Sequence, residues 1–293
     1  MNYKVPDQSG KVFVVTGANT GIGRVTALEL ARAGAKRVIL ACRSQERTQP
    51  VLDEITEIYG GDAERVGFLA LDLGDFESVR QCVATYGEVY GDERVDVLIN
   101  NAGLAGKKGL TRQGFEMAFG VNHLGPFLFT LLMWEHLADD ARIVNVASRA
   151  HKRVDGIDFD VVREEAKTPT GFPEYSVSKL ANVLFSRELA RRAKGTGKRS
   201  YALHPGVVAS DVWREVPGVV RWVVKRFMIT NEEGAMTTLY CATSEAASGQ
   251  SGKYYSECKE KAPAKCGQDD ALARELWDRS VSWVGVEVPE ELG

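Results

Sequence analysis

Tyr175 and Lys179 stand four residues apart in Tyr175-Ser176-Val177-Ser178-Lys179, at the head of a helical pattern that continues through Leu180, Val183, Leu184 and Leu189. Positions i and i+4 of a helix share a face, so the phenol and the ammonium can reach one point in space. A free phenol titrates at about pH 10, too high for an efficient proton carrier at neutral pH. A cation held beside it favours the phenolate and moves that value toward the working range of a general acid/base. Such a pair also decorates many solvated helix faces, so its meaning depends on what the rest of the chain places around it.

The elements that must position the pair begin with Lys11-Val12-Phe13-Val14-Val15-Thr16, an apolar β-branched run that reads as a strand buried on both faces. Gly17-Ala18-Asn19-Thr20-Gly21-Ile22-Gly23 follows, then a helical pattern through Val25, Leu28, Leu30 and Ala31. Strand, glycine-rich turn and helix in that order form a phosphate cradle, because glycines let backbone N–H groups approach an anion and the helix N-terminus adds positive potential. A second strand, Arg37 to Ala41, ends in Cys42-Arg43 with no acid close by. In a dinucleotide fold this strand end faces the adenosine ribose. Arg43, with Arg24 on the first helix, suits a 2′-phosphate and so selects NADP over NAD.

Helix about 45–59, strand Val66 to Leu71, helix about 75–90 and strand Val95 to Ile99 then alternate. This rhythm predicts a doubly wound α/β fold of Rossmann type, a parallel sheet between two helical layers. Ligands of such sheets lie outside the carboxyl ends of the strands, where the chain places Asp72-Leu73, Asn100-Asn101-Ala102-Gly103 and Ser148. Asp72 could accept from an adenine amino group. A helix spanning roughly 111–137 would carry Asn122-His123-Leu124-Gly125-Pro126 inside it, and the resulting kink could present a backbone carbonyl to a water.

The 293 residues, 44% hydrophobic and 26% charged, with a net charge of -3, suit a single globular domain and give no reason to expect nucleic acid. Five dispersed cysteines show neither metal spacing nor a disulfide framework and read as free thiols. No apolar run opens the chain or approaches a membrane span, so a soluble cytoplasmic protein is expected.

Taken together, these motifs resemble the short-chain dehydrogenase/reductase family: Thr16-Gly17-x-x-x-Gly21-x-Gly23, Asn100-Asn101-Ala102-Gly103, Asn122, Ser148, Tyr175-x-x-x-Lys179 and His204-Pro205-Gly206, in the family's order over about residues 10–255. Within it the chain is most similar to the retinol-dehydrogenase-like reductases, through Ala41-Cys42-Arg43, Val121-Asn122-His123-Leu124-Gly125, Ser178-Lys179-Leu180-Ala181-Asn182 and Gly252-Lys253-Tyr254-Tyr255. The resemblance implies that Tyr175 exchanges a proton with the substrate oxygen and that Lys179 lowers its pKa and binds the nicotinamide ribose. Ser148 would donate to that oxygen, and Asn122 would hold a water linking Lys179 to solvent. Gly17, Asn19, Thr20, Gly21, Ile22, Gly23, Asn101, Ala102 and Gly103 would line the dinucleotide. Pro205, Gly206, Val208 and Ser210 would border its nicotinamide.

Two departures stand out. Ala147 takes a place where the family often has a serine, which leaves Ser148 alone at that strand end. A polar stretch, His151 to Glu174, lengthens the link to Tyr175 and is expected as a solvated surface excursion at the site entrance. Further on, 207–230 mixes Trp213, Trp222, Phe227 and Met228 with Arg221, Lys225 and Arg226. It reads as a substrate lid favouring a lipophilic carbonyl, or a helix on the sheet edge, ahead of a membrane-touching patch. Helices near 111–137 and 173–195 are the family's usual homodimer faces. The expected activity is an NADP(H)-dependent carbonyl reductase or alcohol dehydrogenase. The alternatives are a catalytically silent dinucleotide sensor and a nucleotide-sugar dehydratase or epimerase, whose substantial C-terminal substrate domain is too large for the length left after the sixth strand.

Overall fold

A computed structural model of the chain describes residues 3–206 and 229–293. One sheet runs through them in the order β3-β2-β1-β4-β5-β6-β7-β8. Its strands are β1 (Val12–Thr16), β2 (Arg37–Cys42), β3 (Val66–Ala70), β4 (Val95–Asn100), β5 (Leu137–Val146), β6 (Arg199–His204), β7 (Lys253–Ser256) and β8 (Lys259–Lys261). All neighbours pair in parallel except β7 and β8, which form an antiparallel hairpin. The five side chains of β1 are all buried, as the apolar run predicts for a strand covered on both faces.

Helices supply the two covers. α1 (Gly21–Arg32), α2 (Gln45–Ile58) and α7 (Asn231–Thr243) pack one face, through Leu28, Leu30, Ile55 and Leu239. α3 (Phe76–Tyr90), α5 (Gly125–Leu132), α6 (Phe172–Arg192) and α8 (Asp270–Val284) pack the other, through Val79, Phe127, Leu184 and Trp277. The doubly wound three-layer α/β/α architecture is therefore the observed one. From β1 the chain winds outward through β2 and β3, then returns to β4 on the other side. That reversal opens a crevice at the carboxyl ends of β1 and β4.

Three boundaries differ from expectation. The expected helix over 111–137 begins only at α4 (Met117–Phe119), because Leu110 bridges Glu116 and Gly114 holds φ at +76°. Glu116 caps that start, its carboxylate accepting from Phe119 N at 2.7 Å. A π turn, Gly120–Leu124, interrupts the helix before α5, and β5 has already begun at Leu137. Pro126 lacks the N–H that would reach the carbonyl of Asn122 four residues back, so the α-helical ladder cannot run through this point.

The excursion from His151 to Glu174 is only partly a solvated surface. Asp155, Asp158, Asp160, Glu164 and Glu165 are exposed, whereas His151, Val162 and Ala166 are buried. The Val162 carbonyl accepts from Glu116 N at 2.8 Å, which ties the excursion to the head of α4. α8 lies across α5 and α6, with the Trp277 ring 5.1 Å from Phe127 and 6.1 Å from Phe185.

Candidate active site

Tyr175 and Lys179 fall in the first two turns of α6, and both are buried. The Lys179 ammonium donates to the Val146 carbonyl at 2.8 Å, where β5 ends, and lies 5.7 Å from the centre of the Tyr175 ring. Burial disfavours its charge and pushes its pKa down to about 7. Burial also raises the Tyr175 phenol, and hydrogen bonding with Ser148 opposes that rise. The net direction at Tyr175 is therefore upward, and burial sets it.

Ser148 leaves β5 two residues beyond Val146 and caps the turn Arg149–Arg153, its Oγ accepting from Ala150 N at 3.1 Å. With that lone pair engaged, the hydroxyl hydrogen is left to point elsewhere. Phe172, at the first position of α6, tilts against Tyr175 with ring centres 5.8 Å apart, and the Arg153 guanidinium stands over the Phe172 ring at 5.3 Å.

Asn122 occupies the π turn with no solvent exposure. Its Nδ2 donates to Leu104 O and to Ser178 Oγ, each at 2.9 Å, while its Oδ1 accepts from Leu104 N at 2.8 Å. Ser178 Oγ in turn donates to the Tyr175 carbonyl at 2.7 Å. The Asn122 side chain is therefore a brace between the loop after β4 and the head of α6. Gly103 completes the junction, since a Cβ there would stand 3.2 Å from Asn122 Oδ1 and 3.3 Å from Lys179 Nζ.

The glycine turn packs directly on that loop. Gly17 has φ +65°, and a Cβ on it would meet Ala102 at 2.9 Å. A Cβ on Gly23 would collide with Asn101 Nδ2 and with the Gly17 carbonyl. Asn101 Nδ2 donates to Thr16 O at 2.8 Å, and Thr16 Oγ1 accepts from Asn101 N and Ala102 N at 3.0 Å each. Asn101 and Ala102 thus join the ends of β1 and β4. Asn19 is half-buried, Thr20 exposed, and Gly21 and Ile22 open α1, whose first turn contains no acid to repel an anion.

Of the remaining candidates, Arg43 is exposed at the end of β2 and makes no ion pair with a described residue. Arg24 reaches across to Glu54 on α2. Asp72 Oδ1 accepts from Gly74 N at 2.9 Å in a local turn, and Leu73 is buried, its carbonyl packed against Gly125. Pro205 and Gly206 follow β6 at the same edge, with Gly206 at φ +107°. Val208, Ser210 and the lid residues Trp213, Trp222, Phe227 and Met228 lie outside the described residues. Sequence reasoning missed the roles of Ser178, Thr16 and His151. Among the described residues no helix is long and apolar enough to cross a membrane.

The residues present fit a dinucleotide. A glycine turn closed onto Asn101 and Ala102 leaves the head of α1 facing the crevice, and the crevice continues over Gly103 to Lys179 and Tyr175. The family described as short chain dehydrogenase matches residues 11–159. Mouse retinol dehydrogenase 11 is 41% identical over 293 residues, covering 98% of this chain and 89% of its own length. The crystal structure of an uncharacterised protein from Mycobacterium paratuberculosis superposes with a TM-score of 0.78 at 32% identity, over 97% of both chains. That of 3-ketoacyl-(acyl-carrier-protein) reductase from Brucella melitensis, complexed with NADH, gives 0.66 at 25% identity over 85% of this chain and 96% of that one. A parallel sheet with a glycine cradle at its switch point, a buried Tyr–Lys pair beside it and relatives of this kind make the chain a member of the short-chain dehydrogenase/reductase family, a dehydrogenase/reductase that uses a nicotinamide cofactor.

Proposed function

We propose that the chain is an NADP(H)-dependent oxidoreductase that interconverts a carbonyl and an alcohol, with a lipophilic aldehyde or ketone as substrate. The observation that carries this reading is the junction at the ends of β4 and β5, where Gly103, Asn122, Ser148, Tyr175 and Lys179 meet and the last two are buried. The bound nicotinamide supplies or accepts the hydride. The chain's own work is proton transfer and charge stabilisation. Tyr175 gives its phenolic proton to the oxygen of a carbonyl being reduced, and Ser148 donates a hydrogen bond to the same oxygen as charge develops on it.

Lys179, with a pKa of about 7, changes charge within the working range. As an ammonium it favours the phenolate that Tyr175 becomes, and it would also bind the nicotinamide ribose. The Asn122 side chain is committed to Leu104 and Ser178, so any water it holds must sit on its backbone carbonyl, which Pro126 deprives of a helical donor. Gly17, Asn19, Thr20, Gly21, Ile22 and Gly23 would hold the pyrophosphate, with Asp72 and Leu73 toward the adenine and Pro205, Gly206, Val208 and Ser210 toward the nicotinamide.

Activity is tested by following NADPH consumption with a panel of aldehydes and ketones. Turnover of at least the lipophilic members is expected. A protein that binds NADPH tightly and reduces none of them would instead be a dinucleotide sensor.

Cofactor choice rests on Arg43, exposed where the ribose would lie, since Arg24 is paired with Glu54. Arg43→Asp should lower kcat/KM for NADPH by roughly tenfold to a hundredfold, the range of about 1.5–3 kcal/mol for a charge-assisted contact. It should leave NADH unaffected or improved. An unchanged NADPH/NADH ratio would remove Arg43 from the phosphate site.

A further inference from the structure

We propose that His151 is a positioning residue for Ser148, held in one neutral tautomer so that its ring anchors the serine's carbonyl; this rests on the oxidoreductase reading above. His151 follows Ser148 by three residues and is fully buried. Its Nε2 lies 3.0 Å from Ala264 N, and a backbone N–H can only donate, so Nε2 presents a lone pair. The ring proton of a neutral imidazole then sits on Nδ1, which is 2.5 Å from the Ser148 carbonyl, a group that can only accept. Two independent contacts thus assign the same tautomer. The third side of the ring is closed by Tyr254 of β7, edge-on with centres 4.9 Å apart.

The clamp has a consequence for the serine. The Ser148 carbonyl accepts both the backbone N–H of His151, at 3.2 Å, and its ring N–H. The Ser148 hydroxyl oxygen meanwhile accepts from Ala150. Elsewhere in this turn Ala150 is buried beside Tyr175, Arg149, Lys152 and Arg153 are exposed, and Lys152 reaches the same C-terminal segment, donating to Ala262 O at 3.2 Å. Burial also pushes the His151 pKa below its ordinary value, with Lys152 adding to the effect and hydrogen bonding to Ser148 opposing it. A protonated ring would set an N–H against the Ala264 N–H. The tautomer that makes Nδ1 a donor to the Ser148 carbonyl is therefore set from Ala264, 113 residues from His151 in the chain.

Two substitutions separate this role from a merely structural one. His151→Asn keeps a donor about where Nδ1 stands but cannot reach Ala264. His151→Gln keeps an acceptor about where Nε2 stands but leaves the Ser148 carbonyl without its side-chain donor. In NADPH-dependent reduction of the best carbonyl substrate, the Gln variant should lose roughly tenfold to a hundredfold in kcat with KM for NADPH unchanged, the scale of a small misplacement of a catalytic group. The Asn variant should recover most of that loss, and both should remain folded by circular dichroism. The 15N shifts of the His151 ring should show the Nδ1–H tautomer at neutral pH. Equal kcat for the two variants, a Gln variant within about twofold of wild type, or an Nε2–H or cationic ring would overturn the assignment. Wild-type protein inactive toward the whole panel would instead overturn the oxidoreductase reading on which it rests.

Discussion

Tyr175→Phe should lower kcat for carbonyl reduction by about 10²- to 10⁴-fold, the usual contribution of a positioned general acid, while leaving NADPH binding intact. The prediction is sharp because the substitution changes little else. The ring is buried against Phe172, Ala105 and Ala150, and a phenylalanine preserves those contacts. Lys179 keeps its bond to Val146 O, and Asn122 keeps its brace, because Ser178 bonds the Tyr175 backbone and not its side chain. Steady-state rates with and without the hydroxyl, alongside NADPH fluorescence titration, measure the two effects separately. A variant retaining more than about a tenth of wild-type kcat would show that another group carries the proton.

Lys179→Met should separate stability from activity, raising the first and abolishing most of the second. In the folded chain the ammonium titrates at about 7, against an ordinary value of 10.5, because burial disfavours its charge. Between those values the unfolded chain binds a proton that the folded chain does not, so the Lys179 contribution to stability rises with pH across this window. Below about pH 7 the folded protein bears the full unfavourable term, at roughly 1.4 kcal/mol per pKa unit as an upper bound. Against it stands the hydrogen bond to Val146 O, worth about 1 kcal/mol. A methionine of similar length should therefore stabilise the protein by on the order of 1–3 kcal/mol at pH 6, with the gain shrinking toward pH 10. Urea midpoints at the two pH values test the sign, and a variant less stable than wild type at pH 6 would contradict it. Activity should fall at least about a hundredfold, as Tyr175 loses the cation that favours its phenolate.

The parallel sheet, its two helical layers and the strand-end position of Asp72, Asn100 and Ser148 were legible because their causes are local. A β-branched apolar run is buried wherever it lies, and its carboxyl end in a parallel sheet faces the crevice. The features that escaped depend on distant partners. Arg24 could not be assigned to Glu54 before α1 and α2 were packed. The His151 ring answers to Ala264, and the direction of the Tyr175 shift comes from how deeply α6 is buried. The β7–β8 hairpin turns through Glu257 and Cys258, both with positive φ, a conformation their residue types do not announce. The helix expected over 111–137 is too long at both ends, since apolar residues carry the pattern across Gly114 at one end and on to Leu137, already in β5, at the other.

The π turn at Gly120–Leu124 fixes an angle as well as a hydrogen-bond gap. An α-helix advances by about 100° per residue, so a single added residue rotates everything before it relative to everything after it by roughly that amount. Asn122 therefore meets Leu104 and Ser178 while Phe127, a few residues on, meets Phe185 and Trp277 in the core. A straight helix could satisfy one of those registers only. Insertions and deletions in this short stretch would accordingly be read as rotations, turning the asparagine out of its brace without altering its chemistry.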